Sequence, residues 1–554
     1  VVAVAAIATT AGEQASDADL GPVVVSATRT DTPVSKLTRS VTVVDQDDIE
    51  RRAQLENSVN DILAEEVPGL SQSTEAMSNF GQTLRGRKFL TLVDGIPQTM
   101  VLRDGRRAVN AIDASAIERI EVVRGGTAAY GFGATGGLVN IITRTPEEGE
   151  FSGHSSVGLS GSATHADDSL SWNTSHRVSG HQDNVDFLLG GSFQERGSFF
   201  DAQADRIPPD PLGAQGGLPQ TQQHNVLGKT GIESGDGEKR LEFMVNHFEL
   251  FQDSDWAGLA TGGDPSTNQK SVPQRGNINV KDPGTENTLA SMKYTDRDLA
   301  GQQLDAQLYH GELLTRFAKF PTFTQRQYES EKTGARVTVD SPLPGFNLIW
   351  GTDYLHDETR SEGLDGEVGT PPMEQDALAG FAELEIPVGD SAMIRGGVRH
   401  ETIELDVGEG INANSQPVTG ATLDFDETLY NLSGVVFLSD NMELFTGYSE
   451  GFSLADFGRA VRDSTATDAA ELKSEAQTVD NYELGLRGRG PNWNGSISGF
   501  YSTSEEGSSF NQNLELVKRP EKITGVEMEG EVNTSETSRV GGTVTWMEGV
   551  VDLD

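Results

Sequence analysis

The sequence predicts a transmembrane antiparallel β-barrel that follows a compact N-terminal α+β domain. Helical and strand-like patterns are mixed before residue 150, whereas residues 151–554 contain about 17 segments of alternating polarity without helical periodicity. Long connections such as Asp253–Gly284 alternate with short ones such as Ser439–Asn441, which is the arrangement of outer-membrane barrels. A soluble antiparallel sheet also alternates in polarity, so the number of segments is what favours a barrel.

The first residues are small and apolar. Residues 1–11 read VVAVAAIATTA, which is typical of the end of a secretory signal peptide, with an alanine-rich unstructured terminus as the alternative. Residues 12–38 form a mostly polar segment that contains one β-branched run, Pro22–Ala27. An extended run of this kind either adds a strand to the edge of a partner's sheet or forms an ordinary first strand.

Residues 39–150 have the pattern of one compact domain. Helical spacing occurs at Asp48–Glu50 and at Ser58–Leu63, and the second pattern stops at Val67-Pro68-Gly69, where proline and glycine end a helix. The expected strands of this domain are Gln82–Leu84, Phe89–Val93, Ile120–Arg124 and Leu138–Thr143. Their apolar residues are expected to form its core.

Later segments alternate in polarity residue by residue. In Gln303–Tyr309, Asn481–Arg487 and Val526–Val532, apolar side chains are expected on one face of a strand and polar ones on the other. Such strands cross a membrane with only weak overall hydropathy. Membrane-spanning helices are excluded, because the mean hydropathy is −0.41 and no apolar run approaches about 18 residues.

A glycine-rich stretch from Gly131 to Gly136 spells G-x-G-x-x-G. In a dinucleotide-binding fold the last glycine begins a helix whose N-terminus receives the pyrophosphate. Here the β-branched residues of Leu138–Thr143 follow and predict a second strand. The stretch is therefore interpreted as a turn whose glycines supply positive φ angles and close packing. A Rossmann-type oxidoreductase is a remote alternative.

The charge balance and the absence of cysteine exclude several functions. The chain has 85 acidic and 42 basic residues and a net charge of −43, of which residues 151–554 carry −36. Such a surface repels nucleic acid. Without cysteine the chain has no disulfides, thiolate metal sites or thiol nucleophiles. The acidity suggests a surface adapted to high salt, and hence a halophilic or marine source, because salt screens self-repulsion.

Several short motifs occur in a defined order along the chain. They are PVVVSATR from Pro22, VPGL from Val67, QTLRGR from Gln82, LVDGIP from Leu92, the segment Ile117–Pro146, YSEGF from Tyr448, VDNYELGLR from Val479 and GVE from Gly525. In this order and spacing the motifs resemble the landmarks of TonB-dependent outer-membrane receptors. The resemblance covers the chain from Gly21. Within that family, LRGRK from Leu84, LRDGRR from Leu102 and FGR from Phe457 are most similar to ferric siderophore receptors of the aerobactin and rhizobactin type.

The resemblance implies a plug domain, residues 39–150, inside the lumen of a barrel of about 22 strands. With about 17 strands and no aromatic residue at its end, the chain is expected to be truncated at both ends. The implied function is TonB-dependent active transport of a ferric siderophore of the hydroxamate type across the outer membrane of a Gram-negative bacterium. No enzymatic activity and no resident cofactor are implied.

The resemblance also implies partners and a site for one of them. TonB, with its ExbB/ExbD energising complex, is expected to bind the TonB box, and outer-membrane lipid is expected to surround the barrel. The box consists of Pro22, Val23, Val24, Val25, Ser26 and Ala27, within an N-terminal segment, residues 12–38, that is expected to be periplasmic. An extended β-branched segment suits this role, because main-chain hydrogen bonds then give the affinity.

Two groups of charged residues are candidates for function. Arg103, Arg106 and Arg107 are candidates for ligand binding, because guanidinium groups suit an anionic ferric chelate. The alternative for these three arginines is pairing with acidic residues of the barrel wall. Candidates for ion pairs between plug and barrel are Arg85, Arg87, Arg119, Arg124, Glu483 and Glu527. No metal site and no catalytic constellation is expected.

Receptors of the same fold for haem, cobalamin or another metal chelate are the main alternatives. A haem receptor would need axial histidines near Phe-Arg-Ala-Pro and Asn-Pro-Asn-Leu motifs, and neither tetrapeptide occurs. All nine histidines lie in residues 151–554, where loop or lumen positions are expected for most of them. A passive porin would lack the plug and the box, so residues 21–150 argue against it.

We predict that the thermal stability of the protein rises from low to molar NaCl, because salt screens repulsion among its carboxylates. The measurement is the unfolding midpoint of the purified protein in a non-ionic detergent over a series of NaCl concentrations. Sucrose at matched osmolality is the control for effects other than screening. Equal midpoints at low and molar salt would contradict a halophilic origin.

Overall fold

The fold was analysed in a computed structural model of the chain. It describes residues 24–25, 29–30, 32–54, 58–74, 76–102, 107–126, 130–147, 149, 151–210, 215–256, 267–321, 324–366, 370–412, 416–454, 457–463, 468–472, 476–510, 516–535 and 538–551.

The N-terminal part folds as a small α+β domain, which we call the plug. Its elements are β1 (Val24–Val25), β2 (Thr32–Pro33), β3 (Val41–Val44), α1 (Gln46–Ala53), α2 (Val59–Glu66), β4 (Leu90–Val93), β5 (Ile96–Pro97), β6 (Ile117–Arg124) and β7 (Gly137–Thr143). Five of the strands form one sheet in the order β3-β6-β7-β4-β5. Strands β4 and β7 are parallel, and the other neighbours are antiparallel.

Both expected helices are present. α1 begins after Asp45, whose carboxylate accepts a hydrogen bond from the Asp48 amide at 2.9 Å, and it buries Ile49. α2 buries Ile62 and Leu63 against the same core and ends before the Pro-Gly pair. The helices therefore form where the apolar spacing and the end signals predict them.

The prediction of a plug strand at Gln82–Leu84 is wrong. Leu84 forms only isolated bridges, to Leu70 and Arg87, and no strand covers Gln82–Leu84. The reason is a turn directly after it, where Arg85 has a φ angle of +53°. The turn replaces a continuing strand and sets the direction of the Arg85 side chain.

The glycine-rich stretch is a turn between β6 and β7, as predicted. No helix begins at Gly136, so the dinucleotide-binding interpretation fails. A Cβ atom on Gly136 would lie 2.7 Å from the carbonyl oxygens of Leu84 and Lys88. Glycine is required there by close backbone approach.

Residues 151–551 form the wall around the plug. Its elements are β8 (Ser152–Ser160), α3 (Ala166–Ser169), β9 (Ser171–Gln182), β10 (Val185–Glu195), β11 (Thr221–Glu233), β12 (Lys239–Gln252), β13 (Gly284–Asp296), β14 (Gln303–Arg316), β15 (Arg326–Leu343), β16 (Phe346–Gly363), β17 (Met373–Val388), β18 (Ala392–Val407), β19 (Gly410–Ile411), β20 (Pro417–Val418), β21 (Ala421–Ser439), β22 (Met442–Ser453), α4 (Phe457–Asp463), β23 (Gln477–Gly490), β24 (Trp493–Phe510), β25 (Leu516–Ser535) and β26 (Ser538–Val551).

The wall is one curved antiparallel sheet of 17 strands, which confirms the predicted fold class. Each strand pairs with the next wall strand along the chain, and β19 and β20 form a separate ribbon within one loop. Between β8 and β26 the described residues show no pairing register, so these strands are the two edges of the sheet. The long connections after β10 and β12 lie at the same end of the wall, because the intervening strands are antiparallel.

The two faces of the wall differ in polarity as the alternation predicts. Val526 and Met528 are 41% and 48% exposed on the outer face, whereas Glu527 between them is 1% exposed toward the plug. The outer face is thus apolar and the lumen polar, which is the pattern of a sheet that meets lipid outside and the plug inside. Within the described residues, no helix is long and apolar enough to cross a membrane.

Candidate functional site

Arg85 lies at the centre of the contact between the plug and the wall. Its Nη2 donates to Glu483 Oε1 at 2.6 Å and to Glu527 Oε2 at 2.7 Å, and its Nε donates to Glu527 Oε1 at 3.0 Å. Glu483 belongs to β23 and Glu527 to β25, so one plug residue joins two wall strands. Charge-assisted bonds that are shielded from water in this way are stronger than pairs at the surface.

The wall carboxylates stabilise the charged form of Arg85. Burial alone would lower the pKa of its guanidinium, but Glu483 and Glu527 more than offset burial and raise that pKa above its ordinary value. Arg87 is less well compensated. Burial lowers the pKa of its guanidinium, opposed by Glu521 at 3.3 Å, and its Nε donates to a wall serine.

Arg124 reaches the same carboxylate from β6. Its Nη1 lies 3.2 Å from Glu527 Oε2, and its Nη2 lies 3.4 Å from Glu529 Oε2. Arg119, on the same plug strand, forms its ion pairs within that strand, with Glu121 at 2.9 Å. The prediction of a plug–wall ion pair for Arg119 is wrong, because residues two apart on a strand share a face and Glu121 takes the guanidinium.

Arg107 is buried and forms hydrogen bonds with the wall and with the connection before β11. Its side chain is 2% exposed, and its guanidinium donates to the Gln215 carbonyl and, at 3.4 Å, to Thr285 Oγ1. Burial lowers the pKa of Arg107 to about 10, while Asp210 opposes the shift. Arg107 ties the plug to the wall and to the long connection that precedes β11. This placement argues against direct ligand contact by Arg107.

The other two predicted ligand-binding residues, and most of the predicted TonB box, lie outside the described residues. Arg103 and Arg106 fall there, as do Pro22, Val23, Ser26 and Ala27 of the TonB box. The backbone of Val24 and Val25 forms β1, which pairs with Thr32–Pro33. The described part of the box is therefore already extended and pairs with a second short strand.

A second charged cluster was not found from the sequence. Arg29, just after the box, donates from Nη1 and Nη2 to the two carboxylate oxygens of Asp353 on β16, at 2.9 and 2.6 Å. Asp353 also accepts from Arg399 on β18 at 2.7 Å. The Arg29 guanidinium lies over the Tyr130 ring, 4.1 Å from its centroid. No sequence signal joins Arg29 to Asp353, because 324 positions separate them.

Comparison with known proteins settles which family this arrangement represents. Residues 33–138 match the TonB-dependent Receptor Plug Domain. Residues 236–554, more than half of the chain, match the TonB dependent receptor-like β-barrel. The chain belongs to the TonB-dependent receptor family. Members of this family are transport receptors of the Gram-negative outer membrane and are not enzymes.

The individual relatives of this TonB-dependent receptor share about a quarter of its residues. The ferric aerobactin receptor of Klebsiella pneumoniae is 27% identical over 91% of this chain and 76% of its own length. The rhizobactin receptor of Rhizobium meliloti is 27% identical over 95% of this chain and 78% of its own length. Among solved structures, the copper transporter OprC superposes with a TM-score of 0.72 at 12% identity, covering 93% of this chain and 80% of its own, which supports the fold alone.

We predict that removing one member of the buried Arg85–Glu527 pair costs up to about 3–5 kcal/mol, because the buried charge that remains loses one of its two partners. Arg85→Met and Glu527→Met should each destabilise plug docking, whereas the double variant should cost less than the sum of the two. Docking is measured by hydrogen exchange of the plug amides in detergent.

Arg360→Met is the matched control for this cycle, since the Arg360 side chain is 71% exposed and pairs with Glu358 outside the lumen. It should leave plug exchange unchanged. Additive effects of Arg85→Met and Glu527→Met would show that the two residues are not coupled.

Proposed function

We propose that this TonB-dependent receptor imports a ferric siderophore of the citrate-hydroxamate type. The observation that carries the proposal is its similarity to aerobactin and rhizobactin receptors over 91–95% of the chain. Buried ion pairs between the plug and the wall support an import function, because a plug held in this way would block passive diffusion. Active import requires such a block to be opened only when cargo is bound.

The cargo is proposed to bind at the end of the plug that faces the long connections. Arg103 and Arg106 fall between the described residues Leu102 and Arg107, and both of these contact the region of the long connections. The backbone of Leu102 lies so close to Gly458, in helix α4 between β22 and β23, that a Cβ on Gly458 would be 2.5 Å from the Leu102 carbonyl oxygen. On the other side, Arg107 donates to Gln215. The positive charges of Arg103 and Arg106 suit an anionic chelate at this end.

Energy for transport is proposed to come from TonB and its ExbB/ExbD complex, which act on the N-terminal box. Arg29 is the first described side chain after the box that anchors it to the wall. Its release from Asp353 would free the segment before β2 without disturbing the Arg85 cluster. Exposure of the box would then be an order–disorder switch that cargo and TonB both bias.

The habitat is a separate proposal. The net charge of −43 supports a halophilic or marine species as the source, because a strongly acidic surface is better tolerated where salt screens it.

We predict that Arg29→Ala loosens the N-terminal segment while the plug stays docked. Charge-assisted hydrogen bonds contribute about 1.5–3 kcal/mol each, so the segment should open at least about 10-fold more often. The measurement is the rate of limited proteolysis between the box and β3, with plug hydrogen exchange as the check on docking.

Asp353→Asn should raise the cleavage rate in the same direction, and Arg360→Ala on the outer face should not. If Arg29→Ala is cleaved no faster than the wild type, then Arg29 does not hold the segment.

We predict that deleting the gene abolishes growth on ferric aerobactin- or rhizobactin-type chelates as the sole iron source and leaves growth on haem unchanged. The measurement is growth of the deletion strain on a panel of iron sources, with re-expression of the receptor as the control. Normal growth on every ferric siderophore would overturn the proposed cargo and leave the family assignment intact.

A further inference from the structure

Three side chains of metal-binding type lie together on the outer face of the wall. They are His224 on β11 and His247 and Glu249 on β12. The strand register places His224 opposite Glu249 and places His247 opposite Val226. Because residues two apart on a strand share a face, all three side chains and Val226 project from the same surface.

The neighbours of His224 show that this surface is the one turned away from the plug. Gln223 and Asn225, on either side of it, are 5% and 2% exposed and contact Asp113 of the plug. His224 alternates with them and therefore faces outward. Loop or lumen positions were expected for most of the histidines, and His224 and His247 are exceptions.

The three side chains bring their donor atoms close together. One ligand atom from each lies within 4.8 Å of the other two, and His224 Nε2 is 2.6 Å from Glu249 Oε2. Ligand atoms around a tetrahedral zinc ion are about 3.3 Å apart when the bonds are about 2.0 Å long. To bind one ion, His224 and Glu249 would separate by less than 1 Å and His247 would approach them by at most about 1.5 Å.

A further contact orients one of the imidazoles. His247 Nδ1 lies 2.9 Å from Thr288 Oγ1 on β13, directly opposite in the register. When Nδ1 donates to this hydroxyl, the lone pair is on Nε2, the nitrogen available to a metal. Metal-binding histidines characteristically have such a partner on the other ring nitrogen.

We propose that His224, His247 and Glu249 form a binding site for a divalent transition-metal ion of the zinc type. Two imidazoles and one carboxylate are a recognised set of protein ligands for Zn²⁺, and they leave a fourth position for water. The ion would join β11 to β12 on the side of the wall opposite the plug. This proposal does not depend on the identity of the transported chelate.

The position of the site makes it accessible to ions from outside the cell. His224 lies near the start of β11 and Glu249 near the end of β12, at the end of the wall that carries the long connections. Farther from that end, Val226 and Val245 are 49% and 53% exposed and begin the apolar face. The site therefore lies at the border between that face and water, where His224 and Glu249 remain 37% and 30% exposed.

The test uses the whole chain, purified in detergent and freed of metal with a chelator, and Zn²⁺ alone as the probe. Isothermal titration should show one tight equivalent for the wild type. His224→Ala and His247→Ala should each weaken it about 100-fold or more, and Thr288→Val about 10-fold, as the loss of an orienting partner does. Co²⁺ in place of Zn²⁺ should give the visible absorption of a four-coordinate site, which both histidine variants should lose.

His400→Ala is the matched control. His400 projects from the same outer face, and its Nδ1 likewise lies 2.9 Å from a threonine hydroxyl, of Thr428. Its replacement should change neither the affinity nor the Co²⁺ spectrum. Far-UV circular dichroism establishes that each variant is folded.

Two results would overturn the proposal. One is a wild-type protein that binds no Zn²⁺ equivalent more tightly than the double variant His224→Ala/His247→Ala. The other is an equal loss of affinity in His400→Ala, which would mean that the ion binds the acidic outer surface in general.

Discussion

The buried carboxylate of Glu527 is the constraint on which the assembly of plug and wall depends. It is 1% exposed, and it lies between Arg85 and Arg124 of the plug. A Cβ atom on Gly69 would lie 2.1 Å from its Oε1, so the plug backbone also approaches it closely. A charge left unpaired there would cost several kcal/mol. These contacts therefore favour the position of the plug in which Arg85 and Arg124 both reach Glu527.

The alternation that places Glu527 in the lumen also determines the outer surface. Every inward position of a wall strand is followed by an outward one, so a polar, plug-binding face requires a second face that meets lipid and water. On β11 this rule separates Asn225, which contacts the plug, from His224, which does not. The same register therefore generates two chemically independent surfaces, one for transport and one available to a metal ion.

The sequence was sufficient to predict the architecture and some of the ion pairs between plug and wall. Period-two alternation and connection lengths predicted the 17 wall strands, and the order of motifs predicted the plug. The arginines were predicted to pair with the wall, but sequence cannot supply the register that brings Arg29 to Asp353, 324 positions away, or His224 to Glu249. The partner of Arg119 was predicted wrongly, although the sequence contained the signal: Glu121 is two residues further along the same strand and therefore on the same face.

The Arg29–Asp353 cluster and the Glu527 cluster also differ in how they would resist a force applied to the N-terminus. A pull on the predicted box meets the short pairing of β1 with β2 and the ion pair of Arg29 with Asp353 first. Contacts with the wall nearer β3 follow, such as that of Thr38 Oγ1 with Ser433 Oγ at 2.7 Å. Arg85 and Arg124 lie deep in the plug and both pair with Glu527, so moving the plug away from the wall would leave a buried carboxylate without a partner. We therefore expect release at Arg29 to cost less and to precede movement of the plug sheet. The order of events during transport then follows from where the ion pairs lie along the chain.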